Sequence, residues 1–213
     1  QYNEEMTTWI VETTDAVWER AGLADASEAD TVAFVSALYA DLLEGHPVIT
    51  NRSLWRNFPT IRCETWIRGN MVLMGDAAHT AHFSIGSGTK LAMEDAIALF
   101  EEFKAHGTVA EALAAYDVNR RDDVGRLQHA AEVSLSWFEH VERYWDMDPM
   151  QFAFSLMSRS KAITYDNLRI RDASFVAEVD RRFSAAVAEA EGIPALKENP
   201  APPMFTPITI GGI

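Results

Sequence analysis

Apolar residues recur at helical spacing in two stretches near the start of the chain. Within 4–21, Met6, Trp9, Ile10, Val11, Val17 and Trp18 stand among acids in a loose helical period that stops at Gly22. Within 30–44, Val32, Phe34, Val35, Leu38, Tyr39, Leu42 and Leu43 repeat the pattern, ending at Gly45 with Pro47 beyond. Both stretches are expected as helices. The texture then changes. Val48-Ile49-Thr50 and the run from Ile61 to Ile67 read as strands, the second alternating apolar and polar except at its last pair. Arg68-Gly69-Asn70 has turn chemistry, and the wholly apolar Met71-Val72-Leu73-Met74 suits a strand covered on both faces.

From Leu91 onward the pattern is mostly helical. Leu91, Met93, Ala96, Ile97, Leu99, Phe100 and Phe103 form a broad apolar arc, with Gly107 close behind as a C-cap. Thr108-Val109-Ala110-Glu111 has the form of a capping box opening the next helix. A long helical pattern covers about 121–144, and shorter ones cover 150–159 and 175–189. Trp137, Phe138, Tyr144 and Trp145 lie at helical spacing and are expected in the core. There is no internal repeat.

Composition narrows the class. The 213 residues are 48% apolar and 23% charged, enough to bury a core and unlike a disordered tail. At about 150 residues per domain the length allows one to one and a half domains. Lys and Arg number 18 against 32 Asp and Glu, a net charge of −14, which argues against nucleic-acid or anionic-membrane partners. No apolar run reaches a membrane span, and the start lacks the basic-then-apolar order of a signal peptide. The single cysteine, Cys63, excludes an internal disulfide framework and fits a reducing compartment. A cytoplasmic protein is the expectation. Met6 lies inside a helical pattern, and prolines 194, 200, 202, 203 and 207 crowd the last stretch, so a fragment ending in a linker is expected.

The chemistry is concentrated in Gly75-Asp76-Ala77-Ala78-His79-Thr80-Ala81-His82-Phe83-Ser84-Ile85-Gly86-Ser87-Gly88-Thr89-Lys90, followed by Leu91-Ala92-Met93-Glu94-Asp95-Ala96. Gly75 ends the apolar strand where a missing side chain lets a ligand or backbone come close. Asp76 follows at the carboxyl end of that strand, the usual ligand edge of an α/β sheet. Gly86-Ser87-Gly88 opens an amphipathic helix, exposing backbone N–H groups at the positive end of its dipole. Lys90 in the first turn adds a full charge. A carboxylate at one end and amide donors at the other match a ligand with hydroxyls and an anionic ring, as in a flavin with its ribityl chain.

This segment resembles the second FAD motif of the class A, aromatic-hydroxylase type, flavoprotein monooxygenases: Gly-Asp-Ala-Ala-His, six residues, Gly-x-Gly, then a helix with Asp-Ala. The resemblance implies that Asp76, with Gly75 and Ala77, binds flavin hydroxyls, and that Gly86, Ser87 and Gly88, with Thr89 and Lys90, hold the pyrimidine edge. His82, Phe83 and Ser84 would line the space in front of the flavin where substrate sits, or else form a packed loop. The family has Pro at the position of Phe83 and Asn at that of Lys90, so the shape of this loop and the direction of the Lys90 ammonium both stay open.

The variant, with its surroundings Asn51–Pro59 and Tyr144–Phe152, looks like the subgroup of salicylyl-CoA 5-hydroxylases and 2-aminobenzoyl-CoA monooxygenase/reductases. Met204–Gly212 resembles the opening strand of an Old Yellow Enzyme type barrel. The implied fold class is α/β (an α+β fragment), the C-terminal portion of a Rossmann-like FAD-binding hydroxylase fold, with short strands followed by a mainly helical region. The implied domains are 1–193, the C-terminal part of the monooxygenase domain, and 194–213, a linker and the start of the barrel. FAD is the implied cofactor and NAD(P)H the co-substrate, with FMN in a further reductase domain. The implied substrate is an aromatic CoA thioester, hydroxylated with O₂. Gly-x-Gly occurs only at 86–88 and Leu91 breaks a dinucleotide fingerprint there, so the ADP-binding turn is expected on an N-terminal half outside this chain, with a homo-oligomer as a further option.

Plainer readings stand beside these. Asp76 could be a turn cap, His79 a structural turn residue, and Arg120-Arg121 and Arg181-Arg182 solvated faces rather than contacts to a CoA phosphate. His79-x-x-His82 lacks the supporting ligands of a metal site. Trp55, Arg56 and Phe58 could border an aromatic pocket. No catalytic acid or base is assigned. The competing functions are a hydroxylase of a non-CoA aromatic and a helical interaction module without flavin.

Overall fold

The computed structural model describes residues 3–192 and Pro194, and divides them into two units, split between Phe58 and Pro59. The expected linker and barrel strand at 194–213 lie outside the described residues apart from Pro194.

In the first unit, α1 (Asp15–Arg20) and α2 (Glu28–Leu38) are followed by the single turn α3 (Ala40–Leu43). Ser27 caps α2 in a complete capping box with Asp30. The helix expected over 4–21 begins only at Asp15. Thr7, Thr8, Ile10, Val11, Thr13 and Thr14 are β-branched, and a run of such side chains disfavours the helical backbone. Leu23 and Val35 are buried, and the Trp55 indole donates to Thr31 Oγ1. Trp55 lines a cavity of about 270 Å³ formed within this unit with Trp18, Leu23 and Thr31. Residues 48–50 form no strand, and Ile49 is exposed.

The second unit is built on a helical pair. The sheet among the described residues is one antiparallel ribbon, β1 (Ile67–Arg68) with β2 (Met71–Val72), paired Ile67 to Val72 and Arg68 to Met71. The rest of the expected strand over 61–67 is extended chain. An isolated bridge joins Arg62 to His79, and the Cys63 N–H donates to the Ala78 carbonyl. The long helices are α4 (Gly88–Ala105) and α5 (Val109–Glu139), packed along one another. Three further helices follow: α6 (Pro149–Ser158), α7 (Tyr165–Arg171) and α8 (Ala173–Glu191). The fold is mainly helical with a small ribbon, and the Rossmann-like layering expected from sequence is not found among the described residues. No helix among them is long and apolar enough to cross a membrane.

The core joins these parts. Trp66, Ala78, Leu91, Tyr116 and Val124 form its buried centre, with Cys63, Ile67, Val72 and Leu127 packed against it. Buried Gln128 on α5 donates to the carbonyls of both Ile61 and Thr80, fixing the 61–63 segment beside the 78–80 loop. Of the four aromatics expected in the core only Trp137 is buried, stacked on the half-buried Tyr144, while Phe138 and Trp145 are exposed. The apolar run 71–74 is not covered on both faces here: Met71 and Leu73 are exposed, as are Met93, Ile97 and Phe100 on α4.

Candidate functional site

The site grows from the end of β2. After Met74 the chain turns through a 3₁₀ turn at Gly75–Ala77, and the Ala78 and His79 N–H groups both donate to the Gly75 carbonyl at 2.9 Å. Gly75 has φ +53°, a left-handed conformation that suits glycine, and a Cβ there would lie 3.1 Å from the Ala92 Cβ on α4. Glycine is therefore required by the close approach of a helix. Asp76 lies in the middle of this turn. It caps nothing, and its exposed carboxylate has no hydrogen bond or ion pair among the described residues. Ala77 is exposed beside it.

A second 3₁₀ turn, Phe83–Ile85, leads to α4. Gly86 closes it with φ +64°, its N–H donating to the Phe83 carbonyl at 2.8 Å. α4 starts at Gly88, as the sequence pattern predicts. Its start is bare. The Ser87 hydroxyl turns back to the Ile85 carbonyl instead of capping the helix, and no acid occupies the first turn. A Cβ at Gly86 or Gly88 would meet nothing within 4 Å, so open space lies beside both. Thr89 and Lys90 are exposed, and the Lys90 ammonium pairs with Glu94, one turn on. That hydrogen bond from Lys90 is the main reason the Glu94 carboxyl is held below its ordinary pKa.

The loop between the turns is held from two sides. The His82 and Phe83 rings stack 4.5 Å apart, and His82 Nδ1 accepts from the Ser84 N–H. The Ser84 carbonyl accepts from Arg159 Nη2 at 2.7 Å, while its hydroxyl is buried without a partner among the described residues. Arg159 also donates to Ser134 Oγ and the Leu156 carbonyl, and its guanidinium lies over the Phe138 ring.

Three residues hold this arrangement together: Asp95, which the sequence showed only as part of the motif's helix, Arg120, expected on a solvated face or at a CoA phosphate, and Arg159, to which the sequence gave no role. Asp95 is fully buried. Its Oδ2 accepts from the Gly75 N–H and from His79 Nε2, both at 2.8 Å, and its Oδ1 accepts from Arg120 Nε at 3.0 Å. Arg120 is buried rather than part of a solvated face, and it also reaches Glu94. Breaking such a buried pair by removing one partner costs about 3–5 kcal/mol. A signal for Asp95 was present: it recurs with Leu91 and Leu99 on the inward stripe of α4, where an unpaired acid would be too costly to bury. His79 is buried as a structural turn residue, its Nδ1 without a partner among the described residues. Arg121 lies over the Trp66 ring and pairs with Asp117, while Arg181 and Arg182 pair with Glu178. A cavity of about 350 Å³ is lined by Arg62, Trp66, His79, Arg121, Gln128 and Glu132, and none of residues 82–90 borders it. Among the described residues no group of three or more His, Cys, Asp or Glu is placed to hold a metal ion.

Residues 4–131 match the FAD-binding domain family, a span that includes the Asp76 turn, the bare start of α4 and the Asp95 clamp. The chain belongs to this family. Among its relatives, salicyloyl-CoA 5-hydroxylase of a Streptomyces species is 42% identical over 98% of this chain and 40% of its own length. The 3-hydroxy-4-methyl-anthranilyl-[aryl-carrier protein] 5-monooxygenase of Streptosporangium sibiricum is 44% identical over 56% of this chain and 34% of its own. Protodeoxyviolaceinate monooxygenase of Chromobacterium violaceum is 32% identical over 76% of this chain and 44% of its own. The chain thus spans less than half the length of each of these relatives. Within this family span, the Gly75–Ala77 turn and the start of α4 are joined through Asp95.

Proposed function

We propose that the chain is the C-terminal part of an FAD-dependent monooxygenase unit that hydroxylates an aromatic CoA thioester with NAD(P)H and O₂. The observation that carries this reading is the unpartnered Asp76 carboxylate on a turn bolted to the bare, glycine-flanked start of α4. These residues fit a flavin: Asp76 accepts from ribityl or ribose hydroxyls, and the Gly86, Ser87, Gly88 and Thr89 backbone meets the electron-rich pyrimidine edge. FAD, when bound, supplies the redox chemistry and the activation of O₂. The protein's part is placement and charge. The α4 dipole stabilises negative charge on the ring, and Lys90, drawn toward Glu94, contributes at longer range. His82, Phe83 and Ser84 form the wall facing the aromatic substrate, with Arg159 fixing the loop's path.

The CoA-ester substrate is supported by the 42% identity to a salicyloyl-CoA 5-hydroxylase. An aryl group on a carrier protein is the alternative favoured by the name of the second relative. The exposed apolar side chains Met71, Leu73, Met93, Ile97 and Phe100 suit cover by a dinucleotide-binding half that holds the ADP moiety. The finer Rossmann-like architecture and a following FMN barrel belong to the same proposal, as do the domain limits at 193 and 194 and a cytoplasmic setting.

The test is made on the full-length protein. It should purify with a flavin absorbance band, and its NADH or NADPH oxidation should be stimulated by salicylyl-CoA or 2-aminobenzoyl-CoA. A colourless protein that fails to take up added FAD overturns the flavin reading. A yellow protein unmoved by either thioester overturns the substrate reading alone.

A further inference from the structure

We propose that Asp95 is a positioning residue for the flavin, setting the separation between the Asp76 carboxylate and the α4 amides; this rests on the reading that those groups hold FAD. One oxygen, Oδ2, receives donors from both ends of the turn, the Gly75 N–H and His79 Nε2, each at 2.8 Å. Asp76 lies between these two anchors, and among the described residues no hydrogen bond or ion pair orients its carboxylate otherwise. Asp95 belongs to the same helix whose first turn presents the bare amides, two turns on from Gly88. A single carboxylate therefore ties the acid that would grip the hydroxyls to the helix that would grip the ring.

The tie is tensioned from behind and stopped in front. Arg120 on α5 holds the other oxygen at 3.0 Å, so Asp95 cannot rotate toward solvent. The Gly75–Ala92 approach prevents the turn from moving closer to α4. An amide at position 95 cannot satisfy all three donors: it keeps one oxygen, and its NH₂ must face the Arg120 guanidinium or the Gly75–His79 pair. The turn is then released at one end or Arg120 loses its partner. Binding groups must be held within about 0.5 Å of their working geometry, so a released turn should weaken a ligand gripped from both ends.

Full-length Asp95→Asn, Asp76→Ala, His79→Ala and His79→Gln variants decide the matter by FAD titration of the apoprotein, with thermal melting of the same apoproteins alongside. Asp76→Ala and Asp95→Asn should each weaken FAD about tenfold or more. His79→Ala should weaken it too, while His79→Gln, whose amide N–H reaches about as far as the imidazole Nε2, should keep it near wild type. If Asp95→Asn cannot be purified folded, the His79 pair gives the same decision. Melting temperatures that fall while FAD affinity stays at wild type in Asp95→Asn, or equal affinities in the two His79 variants, overturn the proposal. Asp76→Ala without effect overturns the underlying reading instead.

Discussion

The Arg159 guanidinium donates to the Ser84 carbonyl at 2.7 Å, joining positions 75 residues apart. Arg159 follows the last residue of α6, and its planar fork serves Ser84, Ser134 and Leu156 at once while lying over Phe138. The helical region after α5 thus reaches back to the turn that opens α4.

Arg159→Met should keep the contact with Phe138 and lose the three donors. Hydrogen bonds from a charged group are worth about 1.5–3 kcal/mol, and a destabilisation of that order is expected in urea unfolding of the full-length protein. If Ser84 faces substrate, the variant should also raise the substrate KM more than it lowers kcat. A variant as stable as wild type would show that the fork contributes little.

Gly75→Ala tests the close approach of turn and helix. The substitution meets a left-handed backbone and a Cβ contact of 3.1 Å together. A cost of about 1–3 kcal/mol is expected, read as a lower denaturation midpoint with an unchanged slope. Gly88→Ala, with nothing within 4 Å and no positive φ, should leave stability nearly unchanged in the same measurement.

Tyr116 is fully buried and its hydroxyl has no partner among the described residues. Burial, then the nearby Asp95 charge, pushes its pKa up to about 12. Tyr116→Phe removes an unsatisfied polar group without opening space, so it should be neutral or stabilising by about 1 kcal/mol. A clear loss of stability would mean that the hydroxyl has a partner in solution. Absorbance titration of the folded protein should find this phenol still protonated at pH values where exposed tyrosines ionise.

Glu178 gives the pH dependence of α8. Hydrogen bonds from Arg181, then Arg182, lower its pKa from 4.5 to about 2. The folded value is depressed, so its contribution is complete above pH 4.5 and is lost as pH falls toward about 2. The melting temperatures of wild type and Glu178→Gln should differ by a constant amount above pH 4.5 and converge below it. A gap that persists unchanged to about pH 2 would contradict the pairing.

Much of this protein was legible as pattern. Glycines and capping residues are local instructions, so the start of α4 at Gly88, the cap at Thr108 and the turn at Gly69 follow from neighbouring residues alone. The Gly75–Lys90 segment stood out for the same reason: a tight turn and a glycine-flanked helix start need particular residues at close spacing. The long-range organisation was not. Whether 61–67 forms a full strand depends on partners to pair with, and the helical period over 4–14 could not overcome its β-branched residues. The roles of Asp95, Arg120 and Arg159 appeared only when distant segments met, because burying a charge is tolerable only where another part of the chain supplies the opposite charge or the donors. Spacing along the chain says that an acid or an arginine faces inward; packing chooses its partner.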